Sequence, residues 1–304
     1  MKDLKNRNCL LTGAGGGIGR SLAFGLAKEG MNLFLSDIDM ENLEKVAGQI
    51  RKSGVTVYTG RCDVSKYEDY KDIAEQFYSK FDKLDLLINN AGIGGGGLAD
   101  SLELDDWKNV IDINTWSIIY AVKVFLPRML EQGTGHFVNT GSGAGVVGIP
   151  YHIQYIASKF AVVGITEALY SEFKHNHKGI NFSVICPTQI KTNIIDRTQL
   201  NIAHNLLENV TEEEIGKRME EFKNIFWDKY MEHATPLDEA VAKYIRGIKK
   251  NKLYIFDSPR LRIAMFLKGV AEPIFKRVLR SEGERNLKII KDTFAQMGIQ
   301  TKDI

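Results

Sequence analysis

A glycine-rich turn, Thr12-Gly13-Ala14-Gly15-Gly16-Gly17-Ile18-Gly19-Arg20, joins a short apolar run at residues 8–12 to a helical pattern that begins at Ser21. Glycines let the backbone turn tightly and approach a pyrophosphate, and the positive end of the following helix favours the phosphate charge. Gly13, Gly17 and Gly19 have the spacing G-x-x-x-G-x-G, which differs from the G-x-G-x-x-G dinucleotide fingerprint. The turn therefore predicts a phosphate-binding loop, while a purely structural glycine turn stays open as the alternative.

Short apolar runs rich in branched residues recur along the chain and alternate with longer segments of helical period. This alternation is typical of a parallel sheet, because parallel neighbours need a long crossover connection. We therefore predict an α/β fold, a doubly wound, Rossmann-type, mostly parallel sheet of about seven strands with helices on both faces. Its ligand should lie beyond the carboxyl ends of the strands, where the winding reverses. The candidate strands are residues 8–12, 32–37, 56–61, 84–89, 135–140, 181–186 and 252–256.

An acidic residue ends the second candidate strand: Asp37 lies 18 residues after Gly19. A carboxylate at this position can accept hydrogen bonds from the ribose hydroxyls of an adenosine, and it would repel a 2′-phosphate. Neither Ile38 nor Gly16 supplies a competing cation, although Arg20 could. The pattern therefore favours NAD over NADP as the cofactor.

Tyr155 and Lys159 form a candidate acid/base pair, because a separation of four residues on a helix places both side chains on one face. A neighbouring ammonium favours the phenolate, so we expect Lys159 to lower the pKa of Tyr155 toward the working pH. Ser142 follows the fifth candidate strand, at the same edge of the sheet as the glycine turn. Tyr and Lys at this spacing also occur by chance, so the interpretation depends on Ser142 and the turn as well.

These motifs resemble those of the short-chain dehydrogenase/reductase family, and the resemblance covers residues 5–256. The 13-residue interval from Ser142 to Tyr155 is also the family's usual one. After Phe256 the chain lacks the Asp-Gly-Gly ending common in acyl-thioester reductases, and it is nearer in pattern to the hydroxysteroid, retinol and other lipophilic-alcohol branches. In chain order the matching motifs are Thr12 to Gly19, Asp37, Cys62-Asp63-Val64, Asn89-Asn90-Ala91-Gly92, Ile113-Asn114, Ser142, Tyr155-Ile156-Ala157-Ser158-Lys159 and Pro187 to Thr192.

The resemblance implies hydride transfer between a nicotinamide and a carbonyl or carbinol carbon. It implies that Tyr155 donates or accepts the hydroxyl proton, that Lys159 lowers the pKa of Tyr155 and holds the nicotinamide ribose, and that Ser142 hydrogen-bonds the substrate oxygen. Asn114 would hold a water that links Lys159 to solvent. Besides Tyr155 and Lys159, the implied cofactor contacts are Gly13, Gly17, Ile18, Gly19, Asp37, Asp63, Val64, Asn90, Ala91, Gly92, Pro187, Ile190 and Thr192.

The predicted function is NAD-dependent interconversion of a secondary alcohol and a ketone, with a bulky apolar, steroid- or lipid-like substrate favoured. Two alternatives stay open. One is a 3-oxoacyl-thioester reductase of the same fold. The other is a nicotinamide-sensing binding module without turnover, against which the presence of Asn114, Ser142, Tyr155 and Lys159 argues.

Two segments do not fit the repeating strand–helix unit. We predict residues 1–257 to be the NAD-binding and catalytic domain, and we interpret residues 193–233 within it as a substrate lid. Residues 258–304 are predicted to be a basic helical C-terminal extension, with ten Lys/Arg and five Asp/Glu. In residues 260–280 apolar and basic side chains interleave, which is compatible with an anionic membrane surface or with packing in an interface. The helical spacing in the predicted lid is carried by Ile215, Met219, Phe222, Ile225 and Phe226.

Composition excludes several other classes of protein. With 44% hydrophobic and 26% charged residues the 304-residue chain is globular, and no apolar run in the sequence suggests a membrane span. A net charge of +2 makes nucleic acid an unexpected partner. Cys9, Cys62 and Cys186 have no metal-ligand spacing, so no metal is predicted. Without a signal-peptide pattern we expect a cytoplasmic protein, with peripheral membrane contact as an alternative, assembled as a homodimer or homotetramer.

Overall fold

The computed structural model describes residues 2–100, 102–177, 179–192, 198–201, 212–232 and 234–297. Within these residues the strands, in chain order, are β1 (Asn8–Thr12), β2 (Asn32–Asp37), β3 (Val57–Arg61), β4 (Leu86–Asn89), β5 (Gly94–Gly97), β6 (Gly135–Thr140), β7 (Ile180–Cys186), β8 (Thr198–Asn201) and β9 (Tyr254–Phe256). The helices are α1 (Gly17–Lys28), α2 (Met40–Arg51), α3 (Tyr67–Tyr78), α4 (Leu104–Ile111), α5 (Ser117–Gln132), α6 (Ile153–Phe173), α7 (Glu212–Tyr230), α8 (Leu237–Lys249), α9 (Pro259–Val270) and α10 (Glu272–Gln296).

Seven of the strands form one parallel sheet in the order β3-β2-β1-β4-β6-β7-β9. This confirms the predicted doubly wound, Rossmann-type α/β fold. All seven candidate strands are present, with some ends displaced by one or two residues. The displaced starts are Val57 instead of 56, Leu86 instead of 84, Ile180 instead of 181 and Tyr254 instead of 252.

Helices cover both faces of the sheet because successive strand residues point to opposite sides. Leu33 and Leu35 of β2 pack in the buried cluster that includes residues of α1, α2 and α8. Phe34, between them, packs in the cluster that includes residues of α3 and α5. The continuous apolar strands noted in the sequence are therefore explained by burial on both sides.

A second, two-stranded parallel sheet was missed by the sequence reading. β5 consists of four glycines, all buried, and it pairs with β8. Glycines have no side chains to alternate, so no periodic pattern marked this strand. A Cβ atom at Gly95 would lie 3.0 Å from the Gln154 side chain of α6, so a glycine permits this close approach.

The C-terminal extension packs against the sheet and its helices. Leu261 and Ala264 of α9 pack against the cluster that includes β7 and α6 residues. The Phe294 ring of α10 lies 4.8 Å, centre to centre, from the Phe222 ring of α7. The extension and the predicted lid are therefore in direct contact. Of these predicted segments, residues 193–197, 202–211, 233 and 298–304, and the side chains of Ile215 and Met219, lie outside the described residues.

One helical run, Leu104–Gln132, is long and apolar enough, by length and composition alone, to cross a membrane, although the sequence had suggested no such span. It consists of α4, a π-helical turn at Asp112–Trp116 and α5. In this structure Phe125 and Met129 on its inner face are fully buried in the core of the sheet.

A buried histidine, His136, lies in the central strand β6. Its Nε2 is 2.7 Å from Ser183 Oγ, and the Ser183 hydroxyl itself donates to the Lys252 carbonyl at 2.6 Å. Nε2 therefore carries the proton and donates it, while Nδ1 has no hydrogen-bond partner among the described residues. Burial, with smaller contributions from the N-terminal amine and Lys174, lowers the pKa of His136 to about 3. The ring is neutral in the folded protein at all but strongly acid pH.

His136→Gln should flatten the acid side of the stability profile. As the pH falls below 6.5 the unfolded chain binds a proton that the native ring excludes. The free energy of unfolding then decreases by up to about 1.4 kcal/mol per pH unit. Glutamine keeps a nitrogen donor for Ser183 and does not titrate, so the variant should lose stability less steeply in urea denaturation between pH 6.5 and 4. The exposed His175→Gln is the control, and equal slopes for His136→Gln and wild type would contradict the prediction.

Candidate active site

Five segments meet at the carboxyl edge of the sheet, where the strand order reverses between β1 and β4. The glycine turn at residues 13–19 follows β1, Asp37 ends β2, residues 90–92 follow β4, Ser142 follows β6, and residues 187–192 follow β7. In doubly wound sheets a ligand binds at this reversal. The structure therefore brings these sequence-predicted residues to one edge.

The backbone of the turn requires glycine at several points. Gly13 and Gly17 have φ values of +67° and +51°, which side chains rarely adopt. A Cβ atom at Gly19 would lie 2.0 Å from the Gly13 carbonyl oxygen. Gly16 is the N-cap of α1 and has no side chain to occupy the first backbone N–H groups, which suits an anion at this helix end. Ile18 packs its side chain partly against the core beneath.

Asn90 braces the turn from the next strand. Its Nδ2 donates to the carbonyls of Thr12 and Gly13 at 3.1 and 3.2 Å. The backbone N–H groups of Asn90 and Ala91 both donate to Thr12 Oγ1, at 3.0 and 3.1 Å. The side chain of Asn90 therefore holds the glycine turn in place.

Asp37 is buried beside the turn. One carboxylate oxygen accepts from the backbone N–H of Gly15 at 2.9 Å, and the other accepts from that of Asp39 at 3.1 Å. Ile38, which follows it, is exposed and uncharged. The guanidinium carbon of Arg20 lies 5.1 Å from the centre of the Phe24 ring, so this cation packs along α1. The carboxylate is thus fixed at the edge where an adenosine ribose would bind.

Asp63 and Val64 lie just after β3. The Asp63 carboxylate accepts from the Ser65 hydroxyl at 2.7 Å and lies 3.5 Å from the Lys66 ammonium. Burial alone would raise the pKa of Asp63, but the hydrogen bonds from Ser65 and the charge of Lys66 together lower it. Val64 is buried. Asp63 therefore stays ionised, and its carboxylate interacts with Ser65 and Lys66 of the same loop.

Ser142 and Tyr155 are neighbours at the centre of the site. The Ser142 hydroxyl accepts from the Ala144 backbone N–H at 3.1 Å and can donate to the Tyr155 phenol. Burial raises the pKa of Tyr155 to about 12, the Ser142 hydrogen bond opposes this, and the nearby Tyr230 adds to it. Tyr155 is therefore protonated at neutral pH.

Lys159 lies near Tyr155, but the net shift of the Tyr155 pKa is upward, so the expectation of a lowered pKa was wrong. The Lys159 ammonium donates to the Thr140 carbonyl at 3.0 Å and lies 5.7 Å from the centre of the Tyr155 ring. Burial lowers the pKa of Lys159 to about 8. The shared helix face was predicted, but the loss of water around both groups outweighs their proximity.

Asn114 lies in the π-helical turn and uses its side chain to clamp the neighbouring loop. Its Oδ1 accepts from the Ile93 N–H at 2.9 Å, and its Nδ2 donates to the Ile93 carbonyl and to Ser158 Oγ, both at 3.0 Å. A Cβ atom at Gly92 would lie 2.9 Å from Asn114 Oδ1 and 3.4 Å from Lys159 Nζ. Gly92 therefore gives the loop room beside the lysine.

The segment after β7 is held by residues that the sequence reading did not identify. The Pro187 carbonyl accepts from the Gly143 N–H at 2.7 Å. Thr188 N–H donates to the buried Asp257 carboxylate at 2.9 Å, and its hydroxyl also hydrogen-bonds to Asp257. Asp257 could have been found, because it follows the last strand and so belongs to the same sheet edge. Ile190, buried in the core, bridges to Thr235.

Thr192 lies opposite the glycine turn. Its Cβ is 3.7 Å from the position that a Cβ at Gly17 would occupy. The segment from Pro187 to Thr192 therefore runs from the Ser142 loop to the phosphate turn. This is the span that a dinucleotide would bridge between its two ends.

A cluster of aromatic residues at the end of α7 reaches Tyr155 through Tyr230. Tyr230, which raises the pKa of Tyr155, lies near the Gln189 side chain and near Arg285 and Glu282 of α10. Its ring stacks on Phe226 at 5.5 Å between centres. Sequence reading identified the apolar periodicity of this helix but not Tyr230. We call Tyr230, Phe226 and the neighbouring Trp227 the aromatic roof.

Comparison with known proteins gives consistent matches. A family model described as short chain dehydrogenase matches residues 7–202. A CLA biosynthesis dehydrogenase/reductase of Lactiplantibacillus plantarum is 39% identical over 195 residues, which cover 64% of this chain and 68% of that protein. A cyclohexanol dehydrogenase of an Acinetobacter strain is 37% identical over 191 residues, 62% of this chain and 75% of that protein. The crystal structure of a short chain dehydrogenase/reductase from Burkholderia phymatum in complex with NAD has a TM-score of 0.77 and 28% identity, and covers 90% of this chain and 96% of that one.

Lys159→Met should change how the free energy of unfolding depends on pH, because it removes the buried ammonium group. The lysine has a pKa of about 8 in the folded protein and an ordinary value of 10.5. Between these values the unfolded wild type binds more protons than the native state. Its free energy of unfolding therefore rises with pH relative to the variant, by up to about 1.4 kcal/mol per unit. We expect the variant to be at least as stable as wild type at pH 7 and to lose that advantage by pH 10.

Urea denaturation of both proteins at pH 7, 8.5 and 10 measures this difference. Lys52→Met, at an exposed position on the end of α2, is the matched control and should show no change with pH. A stability difference between wild type and Lys159→Met that stays constant over the whole range would contradict the prediction.

Proposed function

The chain belongs to the short-chain dehydrogenase family of oxidoreductases, which act on alcohol and ketone groups, and we propose that it interconverts a secondary alcohol and a ketone with NAD as cofactor. We also propose a bulky apolar, steroid- or lipid-like substrate. The observation that carries the proposal is the placement of Ser142 and Tyr155 beside each other, with Lys159 next to them, at the sheet edge where the glycine turn opens.

The residues present fit a nicotinamide dinucleotide, which when bound supplies or accepts the hydride. Gly13 and Gly19 let the turn pack closely on Ala91 and on itself, and a Cβ at Gly16 would meet nothing within 4 Å, so a cradle is open at the uncapped start of α1. We assign the pyrophosphate to this cradle, the adenosine to Asp37, Asp63 and Val64, and the nicotinamide end to residues 187–192 and Lys159. Gly92 and Ala91 would line the path between them.

Tyr155 is the proposed proton donor in ketone reduction. Its raised pKa keeps the phenol protonated until negative charge develops on the substrate oxygen. The Ser142 hydroxyl can donate to the same oxygen and then to the phenolate that remains. The Lys159 ammonium, held by the Thr140 carbonyl, offers a charge that stabilises the phenolate. In the oxidation direction the Tyr155 phenolate accepts the hydroxyl proton of the alcohol, and Ser142 and Lys159 keep the same positions.

The Asp37 carboxylate supports NAD as the cofactor. It is buried and fixed by the backbone of Gly15 and Asp39, so it cannot turn away from a 2′-phosphate. Arg20, the one cation that the sequence had suggested as a rival, packs on Phe24 instead. Like charges in a partly buried site repel strongly.

The aromatic roof supports an apolar substrate. Phe226 is buried, and its ring stacks on that of Tyr230. Tyr230 lies near enough to the Tyr155 phenol to raise its pKa. A substrate whose oxygen reaches Ser142 and Tyr155 would then place its carbon skeleton against aromatic carbon. Apolar area removed from water favours bulky hydrocarbon over small polar alcohols.

A substrate screen with the Tyr155→Phe variant tests the reaction. Wild type should reduce NAD+ with hydroxysteroids, retinoids or long aliphatic and cyclic secondary alcohols, read as absorbance of the reduced cofactor. Tyr155→Phe should lower turnover by about 10²- to 10⁴-fold, because the ring still packs but carries no exchangeable proton. Its cofactor affinity should stay within a few-fold of wild type. Tyr170→Phe, on the outer part of the same helix, is the control and should retain activity.

Three outcomes would contradict this proposal. Tyr155→Phe with a tenth or more of wild-type turnover would exclude Tyr155 as the acid/base. Activity confined to 3-oxoacyl thioesters would favour the reductase alternative. Tight NAD binding with no turnover on any substrate class would favour a sensing module.

Asp37→Asn should weaken the preference for NAD. Asparagine keeps an acceptor oxygen for a backbone N–H but loses the charge, so the ratio of kcat/KM for NAD to that for NADP should fall by about tenfold or more. Asp63→Asn, which changes a carboxylate bound by its own loop, should leave the ratio nearly unchanged. A wild-type preference for NADP would refute the assignment.

A further inference from the structure

Helix α9 is apolar around most of its circumference but is covered on one side only. Leu261, Ala264 and Leu267 pack against the cluster that contains Val146 and Val184. A helix that is apolar all round is normally buried all round. The outer side of α9 is therefore a surface that needs a partner.

Four large side chains on that outer side remain exposed at the end of α9 and the start of α10. The exposed fractions are 58% for Ile263, 64% for Phe266, 64% for Val270 and 50% for Ile274. They account for four of the nine large apolar side chains that are exposed in the described part of the chain, so the exposure is concentrated here. We call these four residues the outer stripe. Contiguous exposed apolar groups of this kind mark contact sites.

The outer stripe lies in a strongly basic segment. Residues 259–281 contain six basic residues and one acidic residue, Glu272. Glu272 is paired with Lys276 at 2.7 Å. Among the described residues no ion pair involves Arg260, Arg262 or Arg277, and all three are exposed. Their charge is therefore available to an anionic partner.

We propose that the outer stripe and its basic flanks are a docking surface for an anionic lipid bilayer. Apolar side chains would enter the headgroup boundary while the arginines meet lipid phosphates, the arrangement of interfacial helices. A second copy of this chain is the less suitable occupant, because self-association through the stripe would bring two equally basic segments together. An anionic bilayer instead attracts these basic residues through its lipid phosphates.

The surface is close to the proposed active site. A Cβ at Gly143, the residue after Ser142, would lie 3.0 Å from Leu261 on the inner side of α9. The stripe and the catalytic loop are thus separated by one helix, about 10 Å across. Together with the proposed function, this places the reaction next to a source of apolar substrates, although the docking itself does not require that function.

Vesicle co-sedimentation of the full chain tests the docking surface. The probes are vesicles of equal parts phosphatidylglycerol and phosphatidylcholine, and vesicles of phosphatidylcholine alone. We expect binding to the first at low salt, weak binding to the second, and release from the first in about 1 M salt, where charges are screened beyond roughly 3 Å. Ile263→Ser with Phe266→Ser should lower the partition coefficient about tenfold. The control Leu104→Ser alters a side chain that is 85% exposed elsewhere and should have no effect.

Charge and apolar contributions can be separated. Arg260→Gln, Arg262→Gln and Arg277→Gln should each lower binding about fivefold, and the exposed Lys52→Gln should not. Turnover of a water-soluble secondary alcohol without vesicles should stay within about twofold in every variant, so loss of docking is distinguishable from failure of the proposed function. Absent binding of wild type to anionic vesicles would overturn the proposal. So would equal binding of the double serine variant, or a wild-type dimer that this variant converts to monomer in light scattering.

Discussion

The amide of Asn90 connects the parts of the sheet edge on which the site depends. Its Nδ2 holds the carbonyls of Thr12 and Gly13 at the end of β1, and its Oδ1 accepts from Thr140 at the end of β6. The Thr140 carbonyl in turn accepts from the Lys159 ammonium. One side chain at the reversal of strand order therefore links the glycine turn to the strand that holds the proposed proton-transfer groups.

The proposed site places ionisable groups where little water reaches them, and loss of water disfavours their charged forms. Lys159 is buried as an ammonium with a lowered pKa, and Tyr155 is buried as a phenol with a raised one. Each shift is a free-energy cost to the charged form. In the proposed reaction the same loss of water would strengthen the interaction of Ser142 with the developing oxyanion, so the cost and the proposed catalytic benefit have one origin.

The C-terminal third packs beside the sheet edge that carries the proposed site. The family model matches residues 7–202, and α7, α9 and α10 lie beyond it. Asp257 anchors the segment after β7 through Thr188, and α10 packs its Phe294 against Phe222 of α7. The part of the chain that the family model matches therefore includes the proposed cofactor edge, whereas the aromatic roof lies outside the match.

The sequence by itself determined the sheet, the glycine turn and the pairing of Tyr155 with Lys159, while the family resemblance implied the roles of Ser142 and Asn114. These follow from local rules: branched apolar runs form buried strands, Gly13 and Gly17 have positive φ, and residues 155 and 159 share a helix face. Only the tertiary structure decided the pairing of the β5 glycines with β8, the use of Asn90 as a brace, and the contacts of Asp257 and Tyr230 with distant segments. It also reversed the expected pKa shift of Tyr155, because desolvation depends on everything that packs around a group, whereas spacing along one helix reports a single neighbour.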